Sequence, residues 1–210
     1  MSRPQGKSPG GAPLILASAS PRRAEILRIL GVPFSVDGAD VDESVLPGES
    51  PDVHVRRLAG QKAAAVAARH PGALVLAGDT VVVVDGRVLG KPQTEAEAEG
   101  MLLDLAGRSH EVLTGLALST PDGDRLEGVA TTHVSFRPFD RAFARGYVAT
   151  GEPMDKAGAY GIQGAGAALV AGIQGDYFNV VGLPVPLLLD LLRSAGYPYR
   201  FGPLPGGGGR

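Results

Sequence analysis

The sequence predicts an α/β fold. Three observations carry that reading. Short apolar, β-branched runs alternate with helices that have clear start and stop residues. No internal repeat interrupts the alternation. Apolar residues are 44% of the 210 residues and charged ones 20%, enough to bury a core in one domain. Lys+Arg 20 against Asp+Glu 22 leaves a net charge of -2, which excludes the broad basic surface of a protein that binds a nucleic acid polymer. The chain has no cysteine, so a disulfide framework and a thiolate zinc site are both excluded. No apolar stretch is long enough to cross a membrane, and the polar start carries no signal core, so a cytoplasmic protein is expected.

The elements follow in order. Residues 1–13 and 201–210 are rich in Gly and Pro and read as disordered tails around one catalytic-sized domain, 14–200. Leu14 to Ala17 reads as a strand. Ser20 then serves as N-cap and Pro21 as first helical residue, with Ile26, Leu27 and Leu30 inside and Gly31 as the stop. Phe34 to Val36 is a short strand. Ser50-Pro51 opens a helix that runs to about Arg69. Ala73 to Val84 is a long buried strand, turned back at Asp85-Gly86 onto Arg87 to Leu89. Thr94 and Glu97 form a capping box for a helix that Gly107 ends. His110 to Ser119 and Arg125 to Phe136 make a hairpin around Pro121-Asp122-Gly123. Asp140 to Thr150 is helical, 151–182 irregular, and Pro184 to Ala195 the last helix.

Five constellations carry chemistry. Ser18 and Ser20 precede Arg22 and Arg23 in the first turn of a helix. Cations there oppose the helix dipole, unless an anion binds between the guanidinium forks and the helix-start N–H groups. Lys62 lies on the apolar stripe of Val55, Leu58 and Val66, where it either snorkels or meets an anion. Asp79, beside Thr80, interrupts the buried strand; it is a structural salt bridge or a functional carboxylate, and Gly78 allows a bulge or a close ligand. Lys91 falls opposite Thr80 if the hairpin ladder is extended. The Gly-rich run 155–164 presents Gln163, whose amide both donates and accepts. Glu43, in an acidic loop, has no local distinction. His54, His70, His110 and His133 lack ligand spacing and read as surface or edge residues.

Taken together, LASASPRRAEIL, the Asp-Glu after Phe34, GDTVV, LGKP, GRSHEVLTG, GEPMDKAGAYGIQG and NVVGLP resemble the Maf family of nucleoside triphosphate pyrophosphatases, over Leu14 to Tyr197. The resemblance implies an elongated mixed β-sheet flanked by helices, in two lobes with a central cleft, like inosine triphosphate pyrophosphatase. It implies a homodimer, a divalent cation (Mg2+ or Mn2+), and hydrolysis of a nucleoside triphosphate to monophosphate and pyrophosphate. Asp79 matches the family's catalytic base, and Glu43 an accompanying catalytic or metal-linked carboxylate. Ser18, Arg22, Arg23, Lys62 and Lys91 match phosphate-contacting positions. Arg22, Thr80 and Gln163 have the form of the branch acting on dTTP and UTP. Two rivals stand beside this: a nucleotide-binding regulator of cell division, and a phosphatase releasing orthophosphate stepwise.

Overall fold

A computed structural model describes residues 13–205; most of the two tails read from sequence, 1–12 and 206–210, lies outside the described residues. The strands form one mixed sheet. Its centre is β3 (Leu74–Val84), an 11-residue strand so rich in valine and leucine that both its faces are covered. On one edge β1 (Leu14–Leu16) runs parallel to the first part of β3, and β2 (Phe34–Val36) runs parallel to β1. β4 (Arg87–Leu89) folds back antiparallel on the last part of β3. β5 (Ser109–Ser119), β6 (Arg125–Phe136) and β7 (Val170–Gln174) continue antiparallel on the other edge.

This pairing leaves a notch. β1 engages Leu74–Leu76 and β4 engages Val82–Val84, so residues 77–81 have no strand on that edge among the described residues. Their other edge is fully laddered to β5, with Asp79 opposite Gly115 and Thr80 opposite Thr114. The ladder is continuous, so the bulge that Gly78 allowed is absent. Gly78 instead makes room: a Cβ there would stand 3.3 Å from the Arg23 Nε and 2.9 Å from the Leu116 side chain.

Strand alternation sorts the core. Leu74 and Leu76 pack with Ala24, Ile26 and Leu27 of α1 (Pro21–Ile29) and with Leu188, Leu191 and Leu192 of α6 (Val185–Ser194). Further along the same face, Val82 and Val84 pack with Ala98, Leu102 and Leu105 of α3 (Glu95–Leu105) and Ala144, Tyr147 and Val148 of α4 (Arg141–Val148). These are the two lobes. The opposite face, carrying Val75, Ala77, Val81 and Val83, is covered by α2 (Pro51–Ala67) through Val55, Ala59, Ala63 and Val66. α2 lies so close to β5 that a side chain at Gly115 would collide with the Val55 carbonyl.

The helix punctuation is realised in hydrogen bonds. Ser20 Oγ accepts from the Arg23 amide at 3.5 Å, and Thr94 Oγ1 from the Glu97 amide at 3.1 Å. Glu97 answers by accepting from the Gln93 amide at 2.7 Å, one residue earlier than a capping box has it. Asp140 caps α4 through the Phe143 amide.

Four expectations are corrected. The stretch 151–182 is not wholly irregular: three 3-10 turns lead into β7 and into the short helix α5 (Tyr177–Val181). The packed chain extends to Leu204, which is buried in the first core. The β3–β4 ladder ends at Val82 opposite Leu89, so Lys91 is not opposite Thr80; the Gly90 carbonyl accepts from the Gly158 amide instead, steering the chain away. His54 and His110 are buried, each 3% exposed, rather than surface residues.

Besides the strands they share, the lobes are joined by a short connection. Tyr160 packs in the second core and Ile162 in the first, with Gly161 alone between them.

Candidate active site

The notch in β3 opens into a cleft of about 730 Å3 between the lobes. All nine residues singled out in the sequence line it: Ser18, Arg22 and Arg23 from the β1–α1 connection, Glu43 from the β2–α2 loop, Lys62 from α2, Asp79 and Thr80 from β3, Lys91 after β4, and Gln163 from the Gly-rich run.

Asp79 sits on the α2 face of β3. Lys62 Nζ donates to its Oδ1 at 2.7 Å and contacts Glu43 Oε1 at 2.5 Å. So Lys62 does not snorkel; it meets an anion. The Lys62 and Asp79 side chains are 9% and 12% exposed, while that of Glu43 is 54% exposed. An isolated carboxylate at this depth would be costly, and the ammonium beside it removes most of that cost. Burial works to raise the Glu43 pKa, but the hydrogen bond and charge of Lys62, helped by Lys91 and Arg23, outweigh it and hold the group below its usual value.

Thr80 points to the other face, toward α1. Arg23 Nη2 donates to Thr80 Oγ1 at 3.0 Å, its Nη1 to Ser18 Oγ at 2.9 Å, and its Nε to the Gly182 carbonyl at 2.8 Å. The guanidinium is therefore fixed on three sides, with a hydrogen still free on each Nη. Burial lowers the Arg23 pKa, against the pull of Asp79 and with Arg22 adding to the lowering.

Behind Thr80 runs a buried chain that the sequence did not reveal. Thr114 Oγ1 donates to the Asn179 carbonyl at 3.1 Å and lies 2.9 Å from Thr80 Oγ1. Since the Thr114 hydrogen goes to the carbonyl, the Thr80 hydroxyl must donate to Thr114. Toward the cleft Thr80 then offers only lone pairs, one of which Arg23 takes. Thr80 thus orients Arg23 before it reads any ligand.

Arg22 makes a 3.0 Å ion pair with Asp155 of the opposite lobe, and Asp155 is also 2.6 Å from Lys156 Nζ. Lys91 is exposed at the rim and makes no ion pair among the described residues. The loop carrying Glu43 is braced from below. Glu49, whose side chain is 4% exposed, accepts from Arg57 Nε at 2.6 Å and Nη2 at 2.8 Å, and Arg57 Nη2 also donates to the Ser44 carbonyl at 2.9 Å. The Arg57 bond foremost holds Glu49 far below the usual carboxylate range. A lone acidic residue in a polar loop gives no hint of such depth, so neither Glu49 nor Arg57 was legible.

The donor set decides which cation fits. Among the described residues no three His, Cys, Asp or Glu side chains cluster as a metal cage. Asp79 and Glu43 converge on one Nζ and offer oxygen only. Two carboxylates with open space beside them suit a hard divalent cation that keeps water and substrate phosphate as its remaining ligands. They do not suit a resident, fully protein-held ion. No helix of the described residues is long and apolar enough to cross a membrane.

The sequence is 57% identical to a dTTP/UTP pyrophosphatase of Symbiobacterium thermophilum, over 88% of this chain and 95% of that protein. It is 55% identical to a dTTP/UTP pyrophosphatase of Moorella thermoacetica, over 87% and 95%. Among solved structures, the Staphylococcus aureus Ham1 protein superposes with a TM-score of 0.44 at 19% identity, over 59% of this chain and 71% of that one. The family model of the Maf-like proteins matches residues 13–195, which spans both lobes and every residue of the cleft described above. The chain belongs to the Maf-like protein family.

Proposed function

We propose that this protein hydrolyses nucleoside triphosphates, dTTP and UTP foremost, to the monophosphate and pyrophosphate. The observation that carries the reading is Asp79: a buried carboxylate at the one gap in the β3 edge, held 2.7 Å from Lys62 and faced by the cationic groups of Arg23 and Arg22. The relatives named dTTP/UTP pyrophosphatase support the substrate class.

The chain's own groups supply most of the chemistry. The free Nη hydrogens of Arg23, with Arg22 and Lys91, neutralise and align the triphosphate. Asp79 orients a water and accepts its proton as the water oxygen bonds to the α-phosphorus. The bond from the α-phosphorus to the α–β bridging oxygen breaks, and pyrophosphate leaves with that electron pair. Lys62 holds Asp79 and Glu43 in place and keeps Glu43 ionised. A divalent cation, Mg2+ or Mn2+, held by Asp79 and Glu43 would add charge neutralisation on the phosphates. Gln163 matches the N3–H and O4 edge of uracil or thymine, donating once and accepting once. Removal of non-standard nucleotides, a cytoplasmic location and a homodimer complete the proposal.

A panel of dTTP, UTP, CTP, GTP and 7-methyl-GTP, with pyrophosphate and orthophosphate measured separately under Mg2+ and Mn2+, tests it. Pyrophosphate release, fastest from dTTP and UTP, is expected. Orthophosphate as the first product would overturn the reaction. Binding without turnover would make the chain a nucleotide-binding regulator.

A further inference from the structure

Gln163 makes no side-chain hydrogen bond within the described residues and is exposed at the cleft. What the fold fixes is its backbone, and that backbone is clamped from both sides. The clamp comes from the second lobe. Tyr147, near the end of α4, is 6% exposed. Its hydroxyl accepts from the Gly161 amide at 3.1 Å, two residues before Gln163. The same hydroxyl donates to Glu152 Oε1 at 2.9 Å. Glu152 then reaches the far side of Gln163: Oε1 accepts from the Gly166 amide at 3.1 Å, and Oε2 from the Ala165 amide at 2.9 Å.

The glycines fit the clamp closely. A Cβ at Gly164 would stand 2.7 Å from Glu152 Oε2, and one at Gly166 would run into the Gly161 carbonyl and the Tyr147 hydroxyl. Lys156 Nζ donates to the Glu152 carbonyl at 2.6 Å, fixing the base of the clamp. Donor and acceptor roles are stable near neutral pH. Burial raises the Tyr147 pKa, so the hydroxyl keeps its proton. Burial also acts to raise that of Glu152, but the bonds from Tyr147, Ala165 and Gly166 overcome it and keep the carboxylate ionised.

We propose that Tyr147 and Glu152 are positioning residues for base selection: they fix the height and angle of Gln163 and so set the preference for pyrimidine over purine nucleotides. Neither lines the cleft, and both lie outside the Asp79–Lys62–Glu43 cluster. This rests on reading the cleft as a nucleotide site.

The α,β-imido analogues of dUTP and GTP, which resist hydrolysis at the scissile bridge, test it by calorimetry. Four proteins are compared: wild type, Tyr147→Phe, Gln163→Ala and the double variant. Tyr147→Phe removes one hydroxyl and keeps the ring in its pocket. It is expected to weaken the dUTP analogue about tenfold. Binding of the GTP analogue is expected to stay within about twofold. The double variant is expected to bind the dUTP analogue no more weakly than Gln163→Ala alone, since both changes act through one side chain. Equal weakening of both analogues, or losses that multiply in the double variant, would overturn the proposal. If Tyr147→Phe folds poorly, Glu152→Gln asks the same question, because its single amide oxygen cannot serve all three donors. Wild-type protein that binds neither analogue would end the nucleotide reading itself, and that result is distinct from equal weakening.

Discussion

Asp79 and Thr80 are adjacent in the chain and serve opposite faces of β3, Asp79 bonded to Lys62 of α2 at 2.7 Å and Thr80 to Arg23 of α1 at 3.0 Å. A single peptide unit thus places the carboxylate and the guanidinium-bearing wall on either side of one gap. The two helices that supply cations, α1 and α2, are each bonded to one of those two residues.

Asp79→Asn removes the proposed proton acceptor and keeps the shape. Turnover is expected to fall by about 10²–10⁴-fold, while the Kd for a non-hydrolysable triphosphate changes little. Steady-state pyrophosphate release and calorimetry on the same preparations check it; a variant retaining more than half the wild-type rate would remove Asp79 from the chemistry.

Lys62→Met takes away the strongest opposition to burial at Glu43. The Glu43 pKa should rise, because the neutral form is then favoured. The acid limb of the pH–kcat/KM profile should move to higher pH. Carboxyl titration by NMR reads the first effect directly, and an unchanged or lowered Glu43 pKa would contradict the assignment.

On the proposed reading, Asp155 competes with substrate for Arg22, with which it pairs at 3.0 Å across the cleft. The pair is partly exposed, so its worth is about 0.2–1 kcal/mol. Asp155→Asn should therefore tighten triphosphate binding by at most about fivefold at low salt, with the gain shrinking as salt is added. Nucleoside monophosphate, which lacks the distal charges, should gain less. Equal tightening of both ligands would show that Arg22 does not meet the phosphate chain.

His110 is buried against Phe136 and Tyr160, 2.7 Å from the Tyr160 hydroxyl, and burial depresses its pKa to about 4. The unfolded chain takes up a proton near pH 6.5, the folded one only near pH 4, so stability falls as the pH drops through that window. The loss should approach about 3 kcal/mol at its acid end. Chemical denaturation between pH 7 and 4 measures it. His110→Phe should flatten the slope while lowering stability at pH 7, since the Tyr160 hydroxyl loses its partner. A slope that survives the substitution would place the effect elsewhere.

Much of the architecture was legible because it is written in local signals. Ser20-Pro21, Asp85-Gly86 and Thr94 with Glu97 act through bonds to their own near neighbours, and each appears where its chemistry demands. Arg22, Arg23, Lys62 and Asp79 were legible singly, as cations in a helix's first turn or on an apolar stripe and as a carboxylate in a strand; Glu43 stood out only through the family resemblance, and the partners of all of them were not legible. Lys62 meets Asp79 only because Gly115 lets α2 settle on the sheet, a contact between distant segments. β7 escaped notice because an edge strand with nearly every side chain exposed shows no alternation, and α5 because five residues carry no helical period. Thr114 and Asn179 look like ordinary interruptions of apolar runs until the strands are laid side by side.

Tyr160 and Ile162 are rooted in different cores with one glycine between them. Gln163 follows directly on Ile162, so its backbone is tied to the first half through that side chain and to the second through the hydroxyl of Tyr147 and the carboxylate of Glu152. The residue proposed to read the base is thus suspended between the two halves rather than carried by either one.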